Sequence, residues 1–129
     1  MTIYPFELTD EINLIIVIAS IDGYELRLAL DTGASDTVID LTALLIAGYQ
    51  KTDAQRLVDI ETGKGIIQAK VYEVVDFQAL GVGQKSFSLC SYDFLADGIL
   101  TDIDGVLGLD FFRNRKLCID FNLSIITVQ

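Results

Sequence analysis

The chain has 129 residues, 51% of them hydrophobic, and carries a formal charge of −10 from 9 basic and 19 acidic side chains. That length suits one domain, residues 1–129, with its own core, and the acidity speaks against a nucleic-acid partner, which calls for a basic face. No histidine is present, which excludes Ser-His and Cys-His nucleophile pairs and weakens any zinc or iron proposal, so no metal and no cofactor is expected.

No run of about 18 apolar residues occurs, so no membrane span is expected. Met1 to Glu7 lacks a basic segment followed by an apolar one, so no secretory signal is read there. Cys90 and Cys118 have no CxxC spacing and read as two buried free thiols in a reducing compartment, which places the chain in the cytoplasm. Between Lys85 and Arg113 stand Asp93, Asp97, Asp102, Asp104 and Asp110 with no Lys or Arg among them. They read as a solvated acidic rim.

In chain order, Glu11 to Ser20 is almost continuously apolar and β-branched, which predicts a strand buried on both faces. Asp22-Gly23 is a two-residue hairpin signal. Tyr24 to Leu30 returns in alternation, with Tyr24, Leu26, Leu28 and Leu30 on one side, and delivers Asp31 to a turn. A carboxylate at the end of a buried strand costs several kcal/mol, an order-of-magnitude figure, unless donors compensate. The Thr32 hydroxyl, the Gly33 N–H and the Ser35 hydroxyl are the candidate donors.

After Val38-Ile39, Asp40 is placed to cap a short helix, Leu41 to Ala47, closed by Gly48. Gln55 to Glu61 alternates as a strand, Thr62-Gly63-Lys64-Gly65 is a flexible turn, and Ile66 to Phe77 is a long outgoing strand. The hairpin they form is an ordinary connection or something more. Leu80 to Gln84 is a turn and Lys85 to Tyr92 a strand; its GxG lacks the third glycine and the following helix of a nucleotide site. Asp104 to Phe112 reads as a short strand ending at Gly108, then a helical turn or two from Leu109 to Asn114 whose C-terminal end meets Arg113, Arg115 and Lys116. Leu117 to Phe121 and Ser124 to Val128 are the last strands. The fold class is all-β, with two short helices.

Asp31-Thr32-Gly33-Ala34-Ser35-Asp36-Thr37-Val38-Ile39 resembles the active-site segment of the retropepsin-like aspartic proteases, and Asp104-Gly105-Val106-Leu107-Gly108-Leu109-Asp110-Phe111-Phe112 resembles their second signature. The wording of the latter is most similar to cellular and bacterial members. The resemblance runs from about residue 12 to residue 128. It implies an acid-protease half-barrel, one lobe per chain, paired as a two-fold homodimer. It also implies catalysis by Asp31, support from Thr32, Gly33, Ala34 and Ser35, a flap tipped by Gly63, Lys64 and Gly65, and a second-signature turn at Val106, Leu107 and Gly108. Thr32 would bond across the dimer axis. The substrate would be an extended peptide or protein, with Val38, Ile39, Ile66 and Val106 lining apolar pockets.

The chemistry fits the residue count. Two carboxylates must face one water, one ionised as base and one protonated as acid. They share a proton and titrate as a pair. The chain has one Asp-Thr-Gly and no second such string, so the economical dyad takes Asp31 from each of two copies. Leu109 and Ser35 stand where retroviral members carry an Arg–Asp ion pair. The tail from Ser124 to Gln129, with Met1 to Leu8, is either interleaved at a dimer interface or an intramolecular edge strand. Two other readings stay open: a catalytically silent dimeric module that grips a peptide or partner on the same fold, and an unrelated β domain in which Asp31-Thr32-Gly33 is only a turn.

Overall fold

A computed structural model describes residues 2–129. Strand β1 (Thr2–Pro5) opens the chain, followed by β2 (Ile16–Ile21), β3 (Tyr24–Leu30) and β4 (Val38–Asp40). Helix α1 (Leu41–Ile46) and a 3₁₀ turn (Lys51–Asp53) lead to β5 (Arg56–Thr62), β6 (Gly65–Ala79) and β7 (Val82–Tyr92). The chain closes with β8 (Gly105–Leu107), a 3₁₀ turn (Leu109–Phe112), β9 (Leu117–Asp120) and β10 (Ile125–Val128).

Seven strands form one sheet in the order β2-β3-β8-β4-β7-β6-β5. Strand β2 also pairs with β6, through Ala19↔Ala79 and Ile21↔Phe77. That extra pairing closes six strands into a ring, leaving β5 as the outer arm of a hairpin with β6. Closure removes edges that would otherwise invite aggregation. The interior is filled from the alternating faces of β3, β6 and β7 and by an aromatic group. Phe77 lies 4.9 Å from Phe87 and 5.4 Å from Phe111, ring centre to ring centre.

The Asp22-Gly23 and Leu80-Gly81 links are both two-residue turns with positive φ at each residue (50° and 86°, 53° and 74°). That backbone matches the twist of antiparallel strands. The remaining three strands form a second sheet, β1-β10-β9. The tail therefore pairs within its own chain, on β1 and β9 (Ile126↔Tyr4 and Ile126↔Ile119).

Several expectations need correction. The first apolar run is a strand only from Ile16, and it is buried on one face: Val17, Ala19 and Ile21 point inward while Ile18 is 53% exposed. A closed ring gives each strand one inner and one outer face, so β-branched composition alone did not mean two-sided burial. The second helix is a single 3₁₀ turn that ends at Phe112 with no base in its last turn. Asp40 does not cap α1 with its side chain; its Oδ1 accepts the Phe94 N–H at 3.2 Å instead. Cys90 is buried but Cys118 is exposed on β9, and both are free. Burial pushes the Cys90 thiol up to about 11, with the charges of Asp36 and Asp110 adding to the effect.

Candidate active site

Strand β8 is inserted between β3 and β4, parallel to the first (Leu28↔Gly105, Leu30↔Leu107) and antiparallel to the second (Val38↔Val106). It holds apart the two strands that flank the Asp31 turn. The Asp31 N–H donates to the Leu107 carbonyl at 3.0 Å, which fixes the turn's root. The Gly33 N–H then donates to Asp31 Oδ1 at 2.9 Å, and the Ala34 N–H to the Asp31 carbonyl at 3.1 Å. The far side of the turn is held by Leu109 and Asp110, whose N–H groups donate to the carbonyls of Ala34 and Ser35.

Asp31, Thr32, Gly33 and Ser35 are exposed in the single chain, and Ala34 is half-buried. The expectation of a buried Asp31 carboxylate is thus incorrect for one chain, because β3 ends before the turn carries Asp31 outward. Of the three candidate donors only Gly33 reaches it. Ser35 Oγ donates to Asp36 Oδ2 at 3.3 Å instead.

A cleft of about 640 Å³ lies in front of the turn. Asp31, Gly33, Ala34 and Ser35 form its floor with Val38 and Val106, and Asp59, Ile60, Glu61, Thr62 and Gly63 of the β5–β6 hairpin form its wall. Tyr92 and Phe94, whose rings sit 4.8 Å apart, close one side. Among the proposed flap residues, Gly63 faces this cleft. The Lys64 ammonium donates to the carbonyls of Asp97 (3.3 Å) and Gly98 (3.4 Å), tying the hairpin tip to the turn that follows β7. Gly65 has φ 105° and pairs with Thr62, leaving Gly63-Lys64 as the two-residue tip.

Two of the four apolar pocket candidates fit. Val38 and Val106 line the cleft. Ile39 is 0% exposed in the core, and Ile66 is 75% exposed on the hairpin. Leu107 and Gly108 are buried behind the turn and act through backbone. A Cβ on Gly108 would stand 2.6 Å from the Asp36 carbonyl oxygen and 2.9 Å from that of Ala34, so only glycine lets the two signatures pack this closely.

A brace unremarked in the sequence lies beneath. Thr37, 0% exposed, donates through its N–H to Asp110 Oδ2 (2.9 Å) and through its hydroxyl to Asp110 Oδ1 (2.7 Å). The Gly108 N–H donates back to the Thr37 hydroxyl at 3.1 Å. Asp104 is similar in kind: its Oδ2 accepts the Arg27 N–H at 2.9 Å. So Asp93, Asp97 and Asp102 form the acidic rim, while Asp104 and Asp110 are structural anchors that charge counting could not separate from it.

Desolvation raises the Asp110 pKa above its ordinary 3.8, with the Thr37 hydrogen bonds opposing and Asp36 adding. The folded chain therefore binds this proton more tightly than the unfolded chain. Asp110 costs stability as pH rises through the window between 3.8 and its raised folded value. Asp110→Asn should keep the Thr37 N–H bond through its amide oxygen, while its amide nitrogen faces the Thr37 hydroxyl and takes that donor's acceptor away. It should melt below wild type but clearly above Asp110→Ala at neutral pH, with a flatter pH dependence in that window. Asp110→Ala should lose about 2–3 kcal/mol by leaving the Thr37 donors unpaired. Thermal melts across pH check both; an Asn variant that melts like the Ala variant would overturn the account.

Among the described residues, no group of three or more Cys, Asp or Glu side chains converges in a metal-binding arrangement, and no helix is long and apolar enough to cross a membrane.

Residues 17–114 match the family described as "gag-polyprotein putative aspartyl protease". The chain is 27% identical over 132 residues to DNA damage-inducible protein 1 of Eremothecium gossypii and 25% identical over 128 residues to that of Saccharomyces cerevisiae. It is 24% identical over 126 residues to the UBA domain-containing protein Mud1 of Schizosaccharomyces pombe. Each alignment covers at least 95% of this chain but only 25–35% of the relative. The fold is similar to the crystal structure of a retropepsin-like aspartic protease from Rickettsia conorii, with a TM-score of 0.67 and 18% identity over 98% of this chain and 93% of that one. An Asp-Thr-Gly turn braced by a second glycine signature, on a closed β ring, with a family match across well over half its length, makes this chain a member of the retropepsin-like aspartic protease family.

Proposed function

We propose that residues 1–129 form one aspartic peptidase lobe, and that two copies meet so that each contributes Asp31 to a shared dyad. The observation that carries this reading is the placement of Asp31. The chain's one Asp-Thr-Gly carboxylate sits exposed on a rigid turn, facing a cleft whose opposite wall is a glycine-tipped hairpin. A second copy supplies what one chain lacks. The Thr32 hydroxyl, which finds no partner among the described residues, bonds across the axis. Gly33 aims its N–H at the carboxylate, while Ala34 and Ser35 shape the floor.

In the dimer the two carboxylates hold one proton between them. The ionised member takes a proton from water while the protonated member donates to the peptide. The hairpin tip, Gly63, Lys64 and Gly65, covers an extended polypeptide and excludes water. The substrate is a peptide or protein, no cofactor enters the chemistry, and the setting is cytoplasmic.

The test is cleavage of a synthetic peptide library followed by mass spectrometry, with sedimentation velocity on the same sample. The protein should sediment as a dimer in the presence of a statine-type peptide and be inhibited by it. Activity should be highest at acidic to mildly acidic pH, since the dyad works with one proton and loses it as pH rises. A strict monomer with the analogue bound, or flat activity up to about pH 9, would sink the proposal.

A further inference from the structure

A second cleft, of about 670 Å³, opens beside the first, and Asp36 lines both. It is framed by Arg56 at the root of the hairpin and by Arg113 and Arg115 behind the second signature, with Ser88 and Asp110 completing it. The whole chain has four arginines, so three of the four converge here, on a protein with a charge of −10.

None of the three forms an ion pair among the described residues; the ion pairs found there are Arg27–Asp102 and Lys85–Asp76, both elsewhere. Asp110 is turned to Thr37 through both oxygens, and Asp36 accepts from Ser35. The Arg115 guanidinium carbon lies 5.9 Å over the Phe111 ring, and its Nε is buried without an acceptor. An aromatic face holds a guanidinium in place without consuming its donors.

We infer that this arginine-lined cleft is a subsite for the carboxylate of an acidic residue in the bound polypeptide, located outward from the residues that flank the scissile bond. The inference rests on the peptidase reading for its substrate. Guanidinium forks match carboxylates in geometry and charge. The catalytic cleft is lined by Asp31, Asp59 and Glu61 with no basic residue, and shares Asp36 with this cleft, where three arginines outnumber Asp36 and Asp110, so an acidic side chain is repelled near the dyad and accepted at this end. The subsite therefore fixes the register of the substrate as well as its affinity.

The experiment uses fluorogenic peptide libraries with Glu or Gln fixed at each position in turn. Wild type should cleave the Glu peptides with about tenfold higher kcat/KM at one outward position, the difference lying in KM and fading at about 1 M salt. In Arg56→Gln/Arg113→Gln the Glu-to-Gln ratio should fall below about twofold, whereas Arg27→Gln should keep it. Equal treatment of Glu and Gln at every position, or a ratio that survives the double substitution, overturns the inference. Labelled libraries read by fluorescence anisotropy on Asp31→Asn protein separate the two claims. Glu-selective binding without any wild-type cleavage removes the peptidase and keeps the subsite. Absence of selective binding and of selective cleavage removes the subsite.

Discussion

Replacing Asp31 by asparagine is expected to lower peptide cleavage by at least about 10³-fold and leave the fold in place. The structural cost is small because Asp31 is exposed. The one hydrogen bond its side chain makes among the described residues, Oδ1 accepting the Gly33 N–H at 2.9 Å, is kept by the amide oxygen. Exposed substitutions of this kind shift stability by about 0.5 kcal/mol or less. The chemical cost is large, because an amide neither accepts the proton of the attacking water nor shares one with a twin. Mass-spectrometric cleavage maps and sedimentation on wild type and variant decide it. Cleavage that persists in the variant removes Asp31 from the chemistry. Absence of cleavage by wild type, with dimer and peptide binding intact, moves the protein to the catalytically silent binding module.

The parts of this molecule written in local pattern were legible before the structure. The Asp22-Gly23 hairpin, the alternation of β3, the turn at Asp31 and the glycine-tipped hairpin rest on residues a few positions apart, and each sits where local turn and strand chemistry puts it. What stayed hidden depends on distant pairing. Thr37 and Asp110 are 73 residues apart, and nothing in either neighbourhood marks Asp110 as a half-buried acceptor rather than one more rim aspartate. Arg56, Arg113 and Arg115 converge only because β4 bridges β8 and β7, bringing the second signature beside the root of the hairpin. Strand β1 is short and held by pairing with β10, so its sequence alone carried little signal. Leu109 and Ser35, read as the two missing ends of an ion pair, instead meet the opposite signature through backbone, Leu109 N–H to Ala34 and Ser35 carbonyl to Asp110. The turn is thus fastened without the charges.

The largest stability loss is expected from Gly105→Ala, a change of one methyl group on a buried strand. Gly105 is buried in the middle of the ring, opposite Leu28 on β3 and Ile39 on β4. Its φ is 156°, and a Cβ built there would overlap the Val38 carbonyl oxygen and stand 3.0 Å from the Ile39 Cα. Both obstacles are backbone, so no rotamer change relieves them. Strand β8 must withdraw from β4, giving up Val38↔Val106 and Ile39↔Gly105 together with the Asp31 N–H bond to Leu107 that depends on the same strand. Overlaps of this kind in a packed interior cost about 4 kcal/mol or more. In a domain of this size that lowers the melting temperature by roughly 15 °C. Gly63→Ala is the matched control, since a Cβ there meets nothing within 4 Å, and it should melt like wild type. Calorimetry on the pair is decisive: a Gly105→Ala protein within a few degrees of wild type would mean that β8 can shift without loosening the turn that carries Asp31, and the rigid seating of the candidate dyad would have to be sought elsewhere.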